Sequence, residues 1–207
     1  MWTRERWNST LERTRVYGEG GVARQSELPT PVHGTERRPS IRTLTPSQLP
    51  SVFQPIVDLK TGKVFANEAL VRCNHPAFTS PLGLFQHAVL EGTCGQLGRS
   101  IREGLFERCP PTALFVNLHP HELQAPWLVR PDDPICFHEH PVYLEVTESA
   151  TLDYFDLCKS VLKEVCARTG AFLVVDDLGA GYSNLMRVIE LEPSVVKLDR
   201  ELITGID

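Results

Sequence analysis

The feature that most constrains the fold is the alternation of short apolar runs with helix-like segments from about residue 52 onward. The runs "ALFVNL", "VYLEVTES", "AFLVVDDL" and "SVVKLD" each suit a strand, whereas "DYFDLCKSVLKEVCARTG" has the spacing of an amphipathic helix ended by Gly170. Ahead of them, "SVFQPIVDL" and "GKVFANEALVR" predict two strands joined by the turn "KTGK", in which Gly62 supplies a positive φ. Strands that alternate with helices predict βα units and a parallel sheet.

Polar side chains stand at or near the carboxyl end of each predicted strand. Parallel strands that are covered on both faces read as nearly uniform apolar runs, so these polar groups need a separate explanation. In a (β/α) barrel, the carboxyl ends of the strands converge on the face that carries the active site. We therefore expect one mouth to be lined by Glu68, Asn117, Glu145, Asp176 with Asp177, and Lys197 with Asp199.

Carboxylates that converge on one mouth need positive charge, because burying an unpaired carboxylate is costly. A set of carboxylate and amide oxygens favours a hard ion such as Mg²⁺ or Mn²⁺ over Zn²⁺. The adjacent Asp176 and Asp177 suit a two-metal site, in which two ions stabilise the attacking and leaving oxygens of phosphodiester cleavage. Lys197 would orient the attacking water or meet the developing phosphate charge. The spacing also fits a structural ring of salt bridges in a barrel mouth, and both interpretations stay open at this point.

Five segments, in order along the chain, resemble the motifs of the EAL-domain cyclic di-GMP phosphodiesterases. "NEALVR" (67–72), preceded by "FQPIVDLKTGKV", is similar to the signature of that family. The later segments "FVNLHPHEL", "YLEVTES", "VVDDLGAGYSNL" and "VVKLDR" are similar to its Asn-bearing, Glu-x-Thr-Glu, paired-Asp loop and Lys-Ile-Asp motifs. The resemblance covers about residues 52 to 203. It implies an α/β fold, a TIM-type (β/α) barrel of EAL type with one antiparallel strand near its start.

The resemblance also implies an activity. It is the metal-dependent hydrolysis of cyclic di-GMP to linear pGpG, with Mg²⁺ or Mn²⁺, in bacterial second-messenger signalling. The alternative is a catalytically inactive EAL module that serves as a cyclic di-GMP receptor or as a regulator through protein contacts.

The resemblance assigns roles to individual residues. The first metal ion would be held by Glu68, Asn117, Glu145 and Asp176. The second ion would be held by Asp176 and Asp177, and Lys197 would contact the nucleophilic water, so that Lys197, Glu68 and Asp177 form the catalytic set.

Substrate and regulatory contacts follow from the same resemblance. The substrate would meet Gln54, Leu70, Arg72 and Asp199, and the forked donors of Arg72 suit a phosphate oxygen. A glycine-containing loop would link the metal site to a dimer interface through Gly179, Gly181, Tyr182 and Ser183.

The sequence departs from the family pattern within two motifs and at its end. Leu178 and Asn184 stand where the paired-Asp loop of the family has Phe and Ser, and His119 stands where the family has a serine two places after the motif Asn. Family members also continue beyond the Lys-x-Asp strand into βα units that supply further Glu and Gln side chains, whereas the sequence stops at Asp207. We therefore expect a barrel that is incomplete at its carboxyl end, a second ion short of a ligand, and an exposed edge unless a homodimer or another partner completes the barrel.

The first fifty residues differ in composition from the rest. They hold eight Arg, no Lys and five Glu, so their net charge is about +3. Because the whole chain carries −5, the remaining residues carry about −8. The stretch "SELPTPVHGTERRPS" has no apolar periodicity. We predict a disordered or loosely ordered segment over 1–51 and the EAL domain over 52–207.

Composition also bears on partners and location. A net charge of −5 argues against binding to a nucleic-acid polymer. No apolar run approaches the roughly 20 residues of a membrane helix, and the start "MWTRERWNST" lacks the apolar core of a signal peptide. The six cysteines form no CxxC pair. A domain of this size does not need disulfides, so we predict free thiols and a cytoplasmic location.

Three other short segments contain residues that could bind a metal ion. "CFHEHP" (136–141) and "HPH" (119–121) bring His and Cys together, but neither has a known zinc-ligand spacing, and we predict surface loops. "VRPDDP" also pairs two aspartates, and the prolines on both sides predict a solvated turn.

Overall fold

Six strands form one sheet in the computed structural model, which describes residues 39–78, 80–148, 150, 155–179 and 185–205. The strands follow each other in chain order across the sheet. β1 and β2 are antiparallel, and each later strand is parallel to the one before it. The predicted α/β fold, with one antiparallel strand at its start, is confirmed. The strands are β1 (Ser51–Val57), β2 (Val64–Val71), β3 (Leu114–Asn117), β4 (Val142–Thr147), β5 (Phe172–Leu178) and β6 (Val195–Leu198).

Helices connect the parallel strands, as the alternating pattern predicts. Gly92 and Gly170 adopt positive φ values of 63° and 71° and end two of these helices, the second as predicted. A π-helical turn, Cys158–Leu162, joins the α-helices Phe155–Leu157 and Lys163–Thr169 into one continuous helix. The loops of the described residues contain four 3₁₀ helices: Ile41–Thr43, Pro46–Gln48, Pro120–Gln124 and Pro134–Phe137. The α-helices are α1 (Pro81–Glu91), α2 (Cys94–Phe106), α3 (Phe155–Leu157), α4 (Lys163–Thr169), α5 (Leu185–Glu190) and α6 (Arg200–Ile203).

The hairpin between β1 and β2 has the predicted turn. Gly62 has φ +68°, a conformation that costs other residues free energy. Asp58 Oδ1 accepts hydrogen bonds from the backbone N–H groups of Lys60 at 2.9 Å and Thr61 at 2.8 Å. The turn therefore satisfies its own polar groups.

The two faces of the sheet differ in chemistry. On one face, Leu114, Val116 and Leu144 belong to the main apolar core beneath the helices. On the other face, the rings of Phe115 and Tyr143 stack with centroids 4.4 Å apart. Because side chains alternate along a strand, the residues two places further on share this second face and lie at its carboxyl end. This face is thus apolar at the amino ends of the strands and polar at the carboxyl ends.

A second apolar cluster lies between α1, α2 and the residues ahead of β1. Ile41 and Leu49 are buried there against Leu84 and Leu97. The prediction of a loosely ordered segment over 1–51 falls mostly on residues outside the described part of the chain. Its last residues, from Ile41 onward, pack against the domain.

No helix among the described residues is both long enough and apolar enough to span a bilayer. The six cysteines are free thiols, of which Cys94 and Cys158 are buried. Burial raises the pKa of the Cys94 thiol to about 12 and that of Cys158 to about 11.

Candidate active site at the carboxyl ends of the strands

The register of the sheet brings the predicted site residues onto one face. Asn117 pairs with Glu145 across β3 and β4, and Thr147 pairs with Asp176 across β4 and β5. Glu145 and Thr147 are two residues apart and so point the same way. β3, β4 and β5 therefore each direct a polar group to the same mouth, with Glu145 one step deeper than Asp176.

Lys197 on β6 lies at the centre of this mouth. Its Nζ is 2.7 Å from Glu145 Oε1, 3.2 Å from Asp176 Oδ2 and 3.4 Å from Glu68 Oε2. Asn117 Nδ2 donates a hydrogen bond of 3.3 Å to Glu68 Oε1. Burial by itself would lower the pKa of Lys197, but Glu145, Asp176 and Glu68 raise it above its usual value. Lys197 is therefore a permanent cation among three carboxylates.

Glu145 is the most deeply placed of these carboxylates. Its side chain is fully buried, Oε2 has no hydrogen-bond partner among the described residues, and Oε1 has only the 2.7 Å ion pair with Lys197 Nζ. Burial raises the pKa of Glu145 to about 8; Lys197 opposes this shift, and Glu68 and Asp176 add to it. A buried carboxylate is costly to the fold unless it is both paired with a charge and hydrogen-bonded, and here Lys197 supplies only the charge.

Asp177 lies beside this cluster in an unusual conformation. Its φ is 58°, in the left-handed region, where Asp is among the more tolerant residues. Its backbone N–H donates to Asp176 Oδ1 at 3.0 Å. Burial, followed by the charges of Asp176 and Asp199, raises the pKa of the Asp177 carboxyl to about 6. The mouth therefore collects four carboxylates, from Glu68, Glu145, Asp176 and Asp177, against the single ammonium of Lys197.

This donor set fits a hard divalent cation in its chemistry. All its ligand atoms are carboxylate or amide oxygens, and negative charge exceeds positive charge. The two buried Glu145 oxygens lack the hydrogen bonds that would otherwise satisfy them. As the side chains stand, no three His, Cys, Asp or Glu residues in the described ranges are grouped closely enough to hold a metal ion. The Lys197 ammonium lies among three of the carboxylates.

The predicted substrate residues line the same region but make local contacts. Gln54 on β1 pairs in register with Glu68 and is exposed. The Arg72 guanidinium donates to the carbonyl of Val71 at 2.9 Å and to that of Leu70 at 3.4 Å. Asp199 caps α6 by accepting a hydrogen bond of 2.7 Å from Glu201 N.

The predicted regulatory loop is only partly within the described residues. Gly179 has φ +95°, and its N–H donates to Glu148 Oε2 at 3.0 Å. A Cβ at this position would lie 2.1 Å from Leu202 Cδ1, at the end of a half-exposed side chain that can move aside, so the positive φ is what favours glycine here. Gly181, Tyr182 and Ser183 lie outside the described residues.

Two predictions about neighbouring loops are wrong for one residue each. In "VRPDDP", Asp132 lies in an exposed turn as predicted, but Asp133 is buried and accepts hydrogen bonds from the Arg102 guanidinium at 2.8–3.2 Å. His119 of "HPH" is not on a surface loop: it is buried and stacks on Phe85 with ring centroids 5.2 Å apart. Arg102 has a second carboxylate partner, Glu122, at 2.7 Å. An arginine followed by a glutamate on a helix is typical of a solvated face, so the sequence gives no indication of this buried cluster.

Comparison with known proteins places the chain in a family. The family model described as "EAL domain" matches residues 41–207. A cyclic di-GMP phosphodiesterase, RocR of Pseudomonas aeruginosa, is 31% identical over 212 residues, which cover 94% of this chain and 53% of RocR. An uncharacterized protein, y4lL of Sinorhizobium fredii, is 30% identical over 209 residues, 95% of this chain and 25% of y4lL. The chain thus spans about a quarter to a half of these curated relatives.

Solved structures share the fold. The PaMucR phosphodiesterase in complex with c-di-GMP superimposes with a TM-score of 0.64 at 26% identity, covering 77% of this chain and 73% of that one. The Klebsiella pneumoniae BlrP1 manganese and cyclic di-GMP complex at pH 6 gives a TM-score of 0.59 at 28% identity, covering 77% of this chain and 42% of BlrP1. Together with the match over 41–207, these findings show that the chain belongs to the EAL domain family.

Proposed function

We propose that the chain is the EAL domain of a metal-dependent phosphodiesterase that hydrolyses cyclic di-GMP to linear pGpG. The observation that carries the proposal is the buried Glu145 carboxylate, which has no hydrogen bond and is 2.7 Å from the Lys197 ammonium. A fold that keeps so costly an arrangement uses it for binding or catalysis more often than for stability. Relatives named as cyclic di-GMP phosphodiesterases support this substrate.

The proposed metal ligands follow from the donor set. Glu68, Asn117, Glu145 and Asp176 would hold the first ion, and Asp176 with Asp177 the second. When bound, such ions supply positive charge that stabilises the attacking and leaving oxygens of an in-line displacement. BlrP1 has been crystallised with manganese or calcium, which supports a divalent ion here.

Lys197 is the proposed residue that handles the attacking water. Its ammonium has three donors on a flexible stem and already donates to Asp176 Oδ2 at 3.2 Å. With ions among the carboxylates, Lys197 would turn a donor toward the water and toward the phosphate charge that develops in the transition state. The Arg72 guanidinium would exchange its carbonyl contacts for a phosphate oxygen, while Gln54, Leu70 and Asp199 would contact the remainder of the nucleotide.

A second candidate is a receptor that binds cyclic di-GMP without hydrolysing it. The observation that favours it is the position of Lys197 Nζ, which occupies the centre of the carboxylate group. A lysine that stays there neutralises the cluster in place of an ion. In both candidates we place the domain in the cytoplasm, where free thiols persist, and we expect dimerisation through the loop that follows Asp177.

The deciding experiment is a hydrolysis assay on the 207-residue chain with cyclic di-GMP and Mn²⁺, in which pGpG is separated by chromatography. We expect Mn²⁺-dependent product from the wild type and none from Glu68→Gln. Glu164→Gln, which changes an exposed carboxylate on α4, is the matched control and should keep full activity. Nucleotide binding by calorimetry without any product would reject the enzyme and favour the receptor.

A further inference from the structure

We infer that Glu122 is a positioning residue for Asn117 and so sets the metal affinity of the candidate site. The inference rests on the proposed function only in taking Asn117 to be a metal ligand. It starts from the buried cluster of Arg102, Glu122 and Asp133, which contacts the chain that follows β3 and, within the described residues, makes no hydrogen bond to a proposed ligand.

The two oxygens of Glu122 have different partners. Oε2 accepts a 2.7 Å hydrogen bond from Arg102 Nη1, and Oε1 accepts a 3.0 Å hydrogen bond from the backbone N–H of His119. The whole carboxylate is buried. Burial raises the pKa of Glu122, and Arg102 acts in the opposite direction. Glu122 therefore links helix α2 to the backbone two residues beyond Asn117.

The backbone that follows Asn117 is held from two sides. On one side, Leu118 N donates to the carbonyl of Glu145 on β4 at 2.9 Å. On the other side, His119 N donates to Glu122, while Glu122 N donates back to the carbonyl of His119 at 2.8 Å. These contacts fix the point at which the chain leaves β3. Asn117 is the last residue of that strand, so the direction of its side chain depends on them.

Gly98 on helix α2 leaves room for the Glu122 carboxylate. Gly98 faces Glu122, and a Cβ at position 98 would lie 1.8 Å from Glu122 Oε2 and 2.2 Å from its Cδ. Glycine in the middle of a helix lowers stability relative to alanine. Its presence at this helix position therefore serves the close approach of Glu122 and not the helix itself.

Replacement of Glu122 by glutamine separates positioning from packing. The amide has the same shape but only one acceptor oxygen, so it satisfies either Arg102 or the His119 N–H and sets an N–H group against the other. Asp133→Asn is the matched control, because Asp133 binds the same arginine through Nε and Nη2 but makes no hydrogen bond to residues 117–122 among those described. Both variants remove one buried charge from Arg102.

The test is a calorimetric titration of each metal-free variant with Mn²⁺, after cooperative thermal unfolding has shown that it is folded. We expect Glu122→Gln to raise the Mn²⁺ dissociation constant about 10-fold or more, the range typical of residues that orient metal ligands, and Asp133→Asn to change it less than about threefold. Equal weakening in the two variants, or none in Glu122→Gln, would overturn the inference.

A second pair of variants covers the case in which Glu122→Gln does not fold. Gly98→Ala displaces the Glu122 carboxylate without any change of charge and should weaken Mn²⁺ binding. Gly83→Ala in α1 meets only Ser80 Oγ at 3.4 Å and should not. Cyclic di-GMP hydrolysis is measured on the same samples. A wild type that binds Mn²⁺ and shows these differences without hydrolysis rejects the proposed enzyme alone, whereas an active wild type with uniform Mn²⁺ affinities rejects the inference alone.

Discussion

Two clusters in this molecule are built from the same parts, one cation among several carboxylates, and they are satisfied to different degrees. Arg102 is fully buried, and its guanidinium donates to both oxygens of Asp133 and to Glu122. Lys197 is about a quarter exposed at its side chain (27%), and Glu145 beside it has no hydrogen bond on either oxygen. The Arg102 cluster is thus complete, since each of its charged groups has hydrogen-bond partners. The Lys197 cluster is incomplete, since Glu145 has no hydrogen bond.

The difference follows from the shape of the two cations. A guanidinium presents five donors in a planar fork and so can satisfy two carboxylates at once. An ammonium is a compact charge on a flexible stem, and its three donors rotate and hold no fixed fork geometry. The Arg102 cluster is accordingly suited to hold α2 and two loops together, and the Lys197 cluster is suited to exchange partners.

The largest effect is expected where the completed cluster is broken. Arg102→Met leaves Glu122 and Asp133 buried without their cation, so the free energy of unfolding should fall by about 3–5 kcal/mol. Urea denaturation of the metal-free protein measures this directly. A loss below about 1 kcal/mol would mean that the two carboxylates find other partners, and the contrast between the clusters would then fail.

A substitution in the incomplete Lys197 cluster should change the stability little and the activity strongly. Glu145→Gln keeps the side-chain volume and replaces a buried carboxyl group that has no hydrogen bond. The free energy of unfolding of the metal-free protein should therefore lie within about 0.5 kcal/mol of the wild-type value or above it. Hydrolysis of cyclic di-GMP should fall at least about 100-fold, because a proposed metal ligand is lost. A strong loss of stability without loss of activity would assign Glu145 to the fold.

The two clusters also differ in how far their residues could be predicted from the sequence. Polar residues interrupt the apolar strands toward their carboxyl ends, and the parallel arrangement predicts that they converge on one mouth. These residues are Glu68, Asn117, Glu145, Asp176 and Lys197. That Lys197 lies among the carboxylates depends on the stagger of the strands and on side-chain direction, which spacing does not give.

No comparable sequence pattern predicts the Arg102 cluster. Arg102 and Asp133 are 31 residues apart, one on a polar-looking helix and the other between prolines. A buried ion pair of this kind arises from how α2 packs on the loops after β3, and polar spacing on a helix ordinarily indicates a solvated face. The same holds for Ile41 and Leu49, whose 3₁₀ turns carry too few residues to show a periodic pattern.

Addition of metal should change stability only through the incomplete cluster. At a free Mn²⁺ concentration tenfold above its dissociation constant, the wild type should gain about 1.4 kcal/mol. This gain corresponds to a rise in Tm of about 3–6 °C for a domain of this size. Scanning calorimetry with and without a chelator measures the shift. Glu145→Gln should lose most of it, and a full shift in that variant would place the ion elsewhere.

The smallest effect is expected for an exposed pair, which tests whether burial, and not charge pairing as such, separates the two clusters. Lys163 Nζ lies 3.3 Å from Glu192 Oε2, and both side chains are more than half exposed. Solvent and salt screen such a pair, so a double-mutant cycle with Lys163→Met and Glu192→Gln should give a coupling energy below about 0.5 kcal/mol that shrinks further at high salt. The distance is similar to those around Lys197. A coupling of several kcal/mol at this exposed site would show that proximity alone sets the strength of these pairs, and the stabilities of the Arg102 and Lys197 variants would then have to be explained without burial.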